Sequence, residues 1–273
     1  MFAGEEAATP EVGSQVVGFQ YVDVQPEWQQ FCATFDQIAK KSAKLGDIKA
    51  NLNFFQSTLQ LNNEDCVTRQ VRSEVFGDPE NDYMVDGVFT WWPNGYLLDG
   101  MEEEGWYIVE DDKFECFNHL ELPYGESFCV YGLDDDAQLM FDGEVVTIDP
   151  EFEVQQSWNS FGNCTPVPIT LGGVKANLSF FQSTLQLVNS DGVTLQVRSE
   201  VFGDPANDYM VDGVFTWWPD GYLMDGMDEE GWYIVEDDKF DCFNKLPIKA
   251  GEGFCVLGLD EGATIIIPAA LKE

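Results

Sequence analysis

The chain has 273 residues, with 13 Lys and Arg against 50 Asp and Glu, a formal net charge of −37. Phosphate binding needs clustered Lys and Arg, so nucleic acid is excluded as a partner, and anionic membrane surfaces are disfavoured for the same reason. No apolar run approaches the roughly 20 residues of a membrane-spanning helix, so membrane insertion is not expected, and 44% hydrophobic residues with 21 Phe are too much apolar material for a disordered chain.

Residues 1–14 read as a leader arm. The opening Met1-Phe2-Ala3-Gly4-Glu5-Glu6 has neither the basic start nor the apolar stretch of a signal peptide. Two readings stay open: a cytosolic chain, or a mature exported chain whose leader has been removed. The polar run Gly4-Glu5-Glu6-Ala7-Ala8-Thr9-Pro10 favours the second, and with it an extracellular or cell-surface location. Further on, Trp28, Phe31, Phe35 and Ile38 recur at helical spacing. The counterpart at 157–171 contains Gly162, Pro166 and Pro168, which a helix of that length cannot hold. The shared Trp-x-x-Phe portion is therefore read as strand, with at most a short helical insertion after it in the first copy.

That counterpart belongs to an internal duplication. Asn51-Leu52-Asn53-Phe54-Phe55-Gln56-Ser57-Thr58-Leu59 returns as Asn177-Leu178-Ser179-Phe180-Phe181-Gln182-Ser183-Thr184-Leu185, an offset of 126. Residues 51–137 align without a gap on 177–263, with 68 identities in 87 positions. The match extends upstream to 45 and 171, then survives as Trp28-x-x-Phe31 against Trp158-x-x-Phe161. A repeat of this size sets the domain count: one module at 15–146 and its duplicate at 147–273. No Gly/Ser- or Pro-rich linker separates them, so they are expected to abut rigidly.

Within a module the elements read as hairpins. Val88-Phe89-Thr90-Trp91-Trp92, the turn Pro93-Asn94-Gly95 and Tyr96-Leu97-Leu98 read as strand, turn, strand. Trp106-Tyr107-Ile108-Val109 turns through 110–113 into Phe114-Glu115-Cys116-Phe117, and Ser127-Phe128-Cys129-Val130-Tyr131 turns at 134–136 into Gln138-Leu139-Met140-Phe141. Some seven short strands per module, bounded by turn signals, predict an all-β fold: two tandem duplicated β-sandwich or barrel-like modules with hairpin connections and little helix.

The order Val17-Gly18-Phe19, Trp28-x-x-Phe31, a Gly-Trp hairpin, Gly125-Glu126-Ser127-Phe128-Cys129 and a closing Phe141-Asp142-Gly143-Glu144-Val145 resembles the tandem β-modules of secreted surface proteins in verrucomicrobial and related bacteria. The resemblance covers most of both modules. It implies export and an extracellular structural role, and it brings no catalytic residues with it.

Cys116 and Cys129 lie thirteen apart, and Cys242 and Cys255 repeat the interval. The repeated pairs read either as one disulfide per module, which implies an oxidising compartment, or as buried thiols on neighbouring strands. Cys32 and Cys164 are taken as counterparts, and Cys66 has none. With no C-x-x-C and a single His, a zinc site is not indicated.

The loop at 77–87 and its copy at 203–213 set Asp78, Asn81, Asp82 and Asp86, and Asp204, Asn207, Asp208 and Asp212, within nine residues. Oxygen donors at this density suit calcium, or serve simply as turn formers. A second acidic cluster, Asp99, Glu102, Glu103 and Glu104, is matched by Asp225, Asp228, Glu229 and Glu230. Successive strand residues face opposite ways, so one Trp of each pair Trp91-Trp92 and Trp217-Trp218 points away from the core. Such a side chain needs a cover: a sugar, another subunit, or its own module.

Catalysis lacks its parts. His119 stands alone and the copy carries Lys245 in its place, which removes the usual base. The expectation is a non-enzymatic structural protein of the cell exterior that polymerises with itself, each head-to-tail contact repeating the tandem one into a filament or lattice, with the leader arm adding a strand to a neighbour. The alternative is a bivalent carbohydrate-binding adhesin, with calcium organising the loop beside an outward Trp.

Overall fold

The computed structural model describes residues 17–26, 28–34, 42–62, 68–188 and 194–269. The leader arm, the insertion expected after Cys32 and Cys66 lie outside these residues. Among the described residues the chain is almost entirely strand and turn: strands and short 3-10 turns follow one another with no α-helix. The hydrogen-bonded sheets fall into two sets, one drawn from strands within 17–144 and one from strands within 151–266.

Each set repeats one plan. Its main sheet is six-stranded, in the order Lys113–Cys116, Gly105–Glu110, Val88–Trp92, Thr58–Leu61, Ser127–Tyr131, Trp28–Cys32. The second half has the same order from Lys239–Cys242 to Trp158–Gly162. A three-stranded sheet of Val17–Val24, Ala137–Glu144 and Lys49–Ala50 accompanies it. Phe89, Trp91, Trp106, Phe128 and Val130 of the large sheet share one core with Val24, Ala137, Leu139 and Phe141 of the small one. Period-two alternation produces this: Phe89 and Trp91 face in, while Thr90 and Trp92 face out. Each large aromatic buried there contributes about 1.5–3 kcal/mol. Trp106 Nε1 donates to Ile48 O at 2.8 Å and Trp232 Nε1 to Val174 O at 2.8 Å, whereas the buried Nε1 atoms of Trp91 and Trp217 have no partner.

The hairpin at Asp111 and Asp112 follows the sequence. Both residues adopt left-handed φ, 48° and 62°, repeated at Asp237 and Asp238 with 48° and 60°, the conformation that a two-residue turn matched to strand twist requires and that Asp tolerates. Two other pairings differ from expectation. Residues 96–98 form no strand; Val88–Trp92 pairs instead with Gly105–Glu110, Trp91 opposite Trp106. Ala137–Glu144 does not pair with Ser127–Tyr131 but crosses to the small sheet, where Leu139 lies opposite Val22.

The register also corrects one correspondence. Ser127 lies opposite Cys32, and its equivalent Gly253 lies opposite Gly162. Cys32 therefore corresponds to Gly162, not to Cys164.

The two halves meet along the edge strands Trp28–Cys32 and Trp158–Gly162. Phe31 bridges Glu252, and Phe161 bridges Glu126. Phe31 and Phe161 are equivalent, as are Glu126 and Glu252, so the contact is reciprocal about a pseudo-twofold axis. At that axis the equivalent residues Gln30 and Ser160 touch, Gln30 Nε2 donating to Ser160 Oγ at 2.7 Å. A reciprocal contact closes on itself; it is not half of a head-to-tail series. The outer face of each large sheet is thus covered twice, by the sister half over its Trp28–Cys32 end and by a local turn over the other end.

Candidate functional site

The local turn decides the fate of the paired tryptophans. Trp91 and Trp217 are core residues, and Trp92 and Trp218 are only 7% and 9% exposed. Trp92 packs with Phe55, Leu97, Met101 and Tyr107, and its Nε1 donates to Thr90 Oγ1 at 3.1 Å. None of the four offers a face to a ligand. The cover comes from residues 96–101, which fold back over the sheet instead of extending as strand, because an outward Trp in water would leave a large apolar surface exposed. Tyr107 beneath them donates its hydroxyl to Glu103 O at 2.6 Å, and burial pushes that phenol well above its ordinary range.

What reaches the surface is the residue stacked on this cluster. Phe55 meets Trp92 edge-on with centroids 5.2 Å apart, and Tyr96 lies over Phe55 at 4.8 Å. The second half repeats 5.2 Å for Phe181 on Trp218 and 4.8 Å for Tyr222 on Phe181. Tyr96 is 53% and Tyr222 49% exposed. Close in sequence to Phe55 and Phe181 are an exposed Leu (Leu52, Leu178) and an exposed Gln (Gln56, Gln182). Gln56 is held at φ 60° by its own N–H, which donates to Trp91 O at 3.0 Å. Phe55 and Tyr96 did not stand out in the sequence; the repeated Phe-Phe turn and the Tyr after each turn glycine were the available signals.

The residues of the acidic loops make local contacts. Asp78 caps a 3-10 turn, its carboxylate accepting Glu80 N–H at 2.9 Å, and Asp204 does the same for Ala206 at 2.9 Å. Asn81 and Asn207 end those turns. Asp82 and Asp208 follow in left-handed conformation and lie 3.6 Å and 3.3 Å from the guanidinium groups of Arg72 and Arg198. Asp86 and Asp212 accept from Gln70 and Gln196 across the strand pair. Among the described residues no three Asp, Glu, His or Cys side chains gather as metal ligands. In the second acidic cluster, Glu103 accepts Asn118 Nδ2 at 3.1 Å and Glu230 pairs with Lys175 at 2.9 Å, while Asp99 and Glu102 are exposed.

The cysteine pairs are kept apart by strand order. Cys116 lies on the outermost strand of the large sheet and Cys129 four strands away, about 19 Å at ~4.8 Å per strand, beyond the ~7 Å a disulfide tolerates between Cα atoms. Cys242 and Cys255 are separated by the same strands. Cys129 Sγ instead accepts Asn62 Nδ2 at 2.8 Å. His119 stacks on Phe117 with centroids 6.2 Å apart.

No family model matches the chain, and no significant match is found among curated proteins or solved structures.

Proposed function

We propose that the chain is a non-catalytic, bivalent binding protein of the cell exterior, each half a sandwich-type module presenting one aromatic step to a neutral glycan. The observation that carries the reading is the duplication of the step itself: Trp92, Phe55 and Tyr96 stack with the same spacings as Trp218, Phe181 and Tyr222. An exposed ring backed by a second buried ring is a rigid platform for the apolar face of a sugar. The charge of −37 favours a neutral over an anionic ligand. The reciprocal seam fixes the separation of the two platforms, so one multivalent glycan can engage both with an avidity gain on the order of 10²–10⁴.

The test is retention on an array of neutral glycans with Tyr96→Ala, Tyr222→Ala and the double variant. The single variants are expected to lose the avidity and keep residual affinity, and the double variant to lose retention. A double variant that binds as the unaltered chain does removes the proposal.

Self-assembly is the second reading, and a separate observation favours it. Val17–Val24 is a terminal strand of its sheet, and on it Phe19 and Tyr21 are 68% and 57% exposed and packed edge to face at 5.8 Å. An aromatic strand edge with no pairing strand among the described residues invites a second chain. Light scattering against concentration separates the readings: growth in mass abolished by Phe19→Lys with Tyr21→Lys supports assembly, and a constant single-chain mass refutes it.

A further inference from the structure

The seam opens on one side into a cleft of about 390 Å³, lined by Asn62, Arg69, Tyr124, Glu126, Phe152 and Phe161 among others. Comparison of the two halves singles it out. Five of its lining residues, Asn62, Arg69, Pro123, Tyr124 and Glu126, lie in the aligned stretch. Four of the five are replaced in the copy, by Val188, Leu195, Lys249 and Ala250, although only 19 of the 87 aligned positions differ. Divergence between the halves is thus enriched at this cleft, and the pseudo-symmetric position across the seam keeps the glutamate, as Glu252, but lacks the Asn, the Arg and the Tyr ring.

The chemistry of the lining is specific. Tyr124, Phe152 and Phe161 form an aromatic wall, with centroids 6.0 Å and 5.5 Å apart in succession. Beside it Arg69 reaches both oxygens of Glu126 through Nη1, at 2.6 Å and 2.9 Å. These are the side-chain hydrogen bonds of Arg69 among the described residues, where Nε and Nη2 have no acceptor. Glu126 has lone pairs to spare, and burial pushes its carboxyl up despite the guanidinium beside it. A donor and an acceptor stand next to each other against aromatic rings.

The complement is a ring with an apolar face that carries an acceptor and a donor on neighbouring atoms. Vicinal hydroxyl groups of a sugar ring have that form, since each hydroxyl both donates and accepts. An anion is opposed by the charge of −37 and by the two carboxylates of the lining, Glu126 and Glu153, while a neutral ligand can use the Arg69 donors that Glu126 leaves free. We propose that the cleft binds one neutral sugar residue, its vicinal hydroxyls on Arg69 and Glu126 and its apolar face on Tyr124 and Phe152. The site occurs once per chain, shares no residue with the aromatic steps, and does not depend on their role.

The test uses the full chain and the methyl glycosides of neutral hexoses, followed by ligand-observed saturation-transfer NMR and calorimetry. The decisive variant is Asn62→Val, Arg69→Leu, Tyr124→Ala, which installs residues the second half already carries in the same fold. The unaltered chain is expected to bind at least one glycoside with one site per chain, the triple variant to weaken it tenfold or more, and Tyr96→Ala with Tyr222→Ala to leave it unchanged. Binding that survives the triple variant, binding with two sites that is lost with the two tyrosines, or no retained glycoside each overturns the proposal. So does a cleft that takes phenylalanine or tyramine and no glycoside. If the triple variant does not unfold cooperatively, Arg69→Leu alone is read in its place, with the same expectation of weakened binding.

Discussion

The seam between the halves is asymmetric in side-chain size, and that asymmetry can be measured. A Cβ built on Gly162 would lie 2.5 Å from Cys32 Cβ, 3.0 Å from Glu252 O and 3.1 Å from Gly253 Cα. The severe clash is with the Cys32 side chain, the backbone on the other two sides limits how far the methyl can shift away from it, and overpacking of this kind costs about 1–3 kcal/mol. Cys32→Gly removes a fully buried side chain from a cluster formed largely by the other half, at about 2 kcal/mol from lost burial and added backbone freedom. In the double variant, Cys32→Gly with Gly162→Ala, the new methyl occupies the vacated space. The two changes should therefore couple favourably by about 1–3 kcal/mol, measured as a double-mutant cycle in urea with tryptophan fluorescence. Additivity to within about 0.5 kcal/mol refutes the knob-and-hole account of the seam.

The two core tryptophans should respond differently to the same change: Trp106→Phe orphans Ile48 O, whereas Trp91→Phe removes an indole N–H that has no partner, so Trp106→Phe should be the more destabilising by about 1–3 kcal/mol in urea melts. Burial holds the Glu126 carboxyl above its ordinary 4.5 in the fold, so the native state binds that proton more tightly than the unfolded one. Its contribution is complete below about pH 4.5 and is lost as pH rises through the folded value. Glu126→Gln should remove that decline relative to the unaltered chain and Arg69→Leu should steepen it, read from urea midpoints across pH; a Glu126→Gln curve parallel to that of the unaltered chain contradicts the assignment.

Local chemistry was legible in the sequence wherever it acts over a few residues. The Asp111-Asp112 turn, the strand Val88–Trp92 and the duplication itself could all be read directly. Strand partners could not, because alternation specifies faces and says nothing of which strand lies alongside: Ala137–Glu144 pairs with Val17–Val24 from the far end of the half. The equal spacing of Cys116–Cys129 and Cys242–Cys255 suggested contact for the same reason, since a sequence interval is blind to the three strands that the sheet inserts between them. Alternation required one Trp of the pair Trp91-Trp92 to face away from the core without saying which, and the cover over Trp92 came from 96–101, a segment whose alternation also suits a strand. The seam left a readable trace: Cys32 against Gly162 and Gln30 against Ser160 are exchanges of large for small at matched positions, visible once Trp28 and Trp158 anchor the alignment.

Two identical subunits with a reciprocal contact come apart on dilution, at a concentration set by their dissociation constant. Here both partners lie on one chain, and a short tether holds each at roughly millimolar effective concentration relative to the other. The seam therefore has no threshold. At any dilution a single molecule keeps its two aromatic steps at one distance and both walls of its cleft in place.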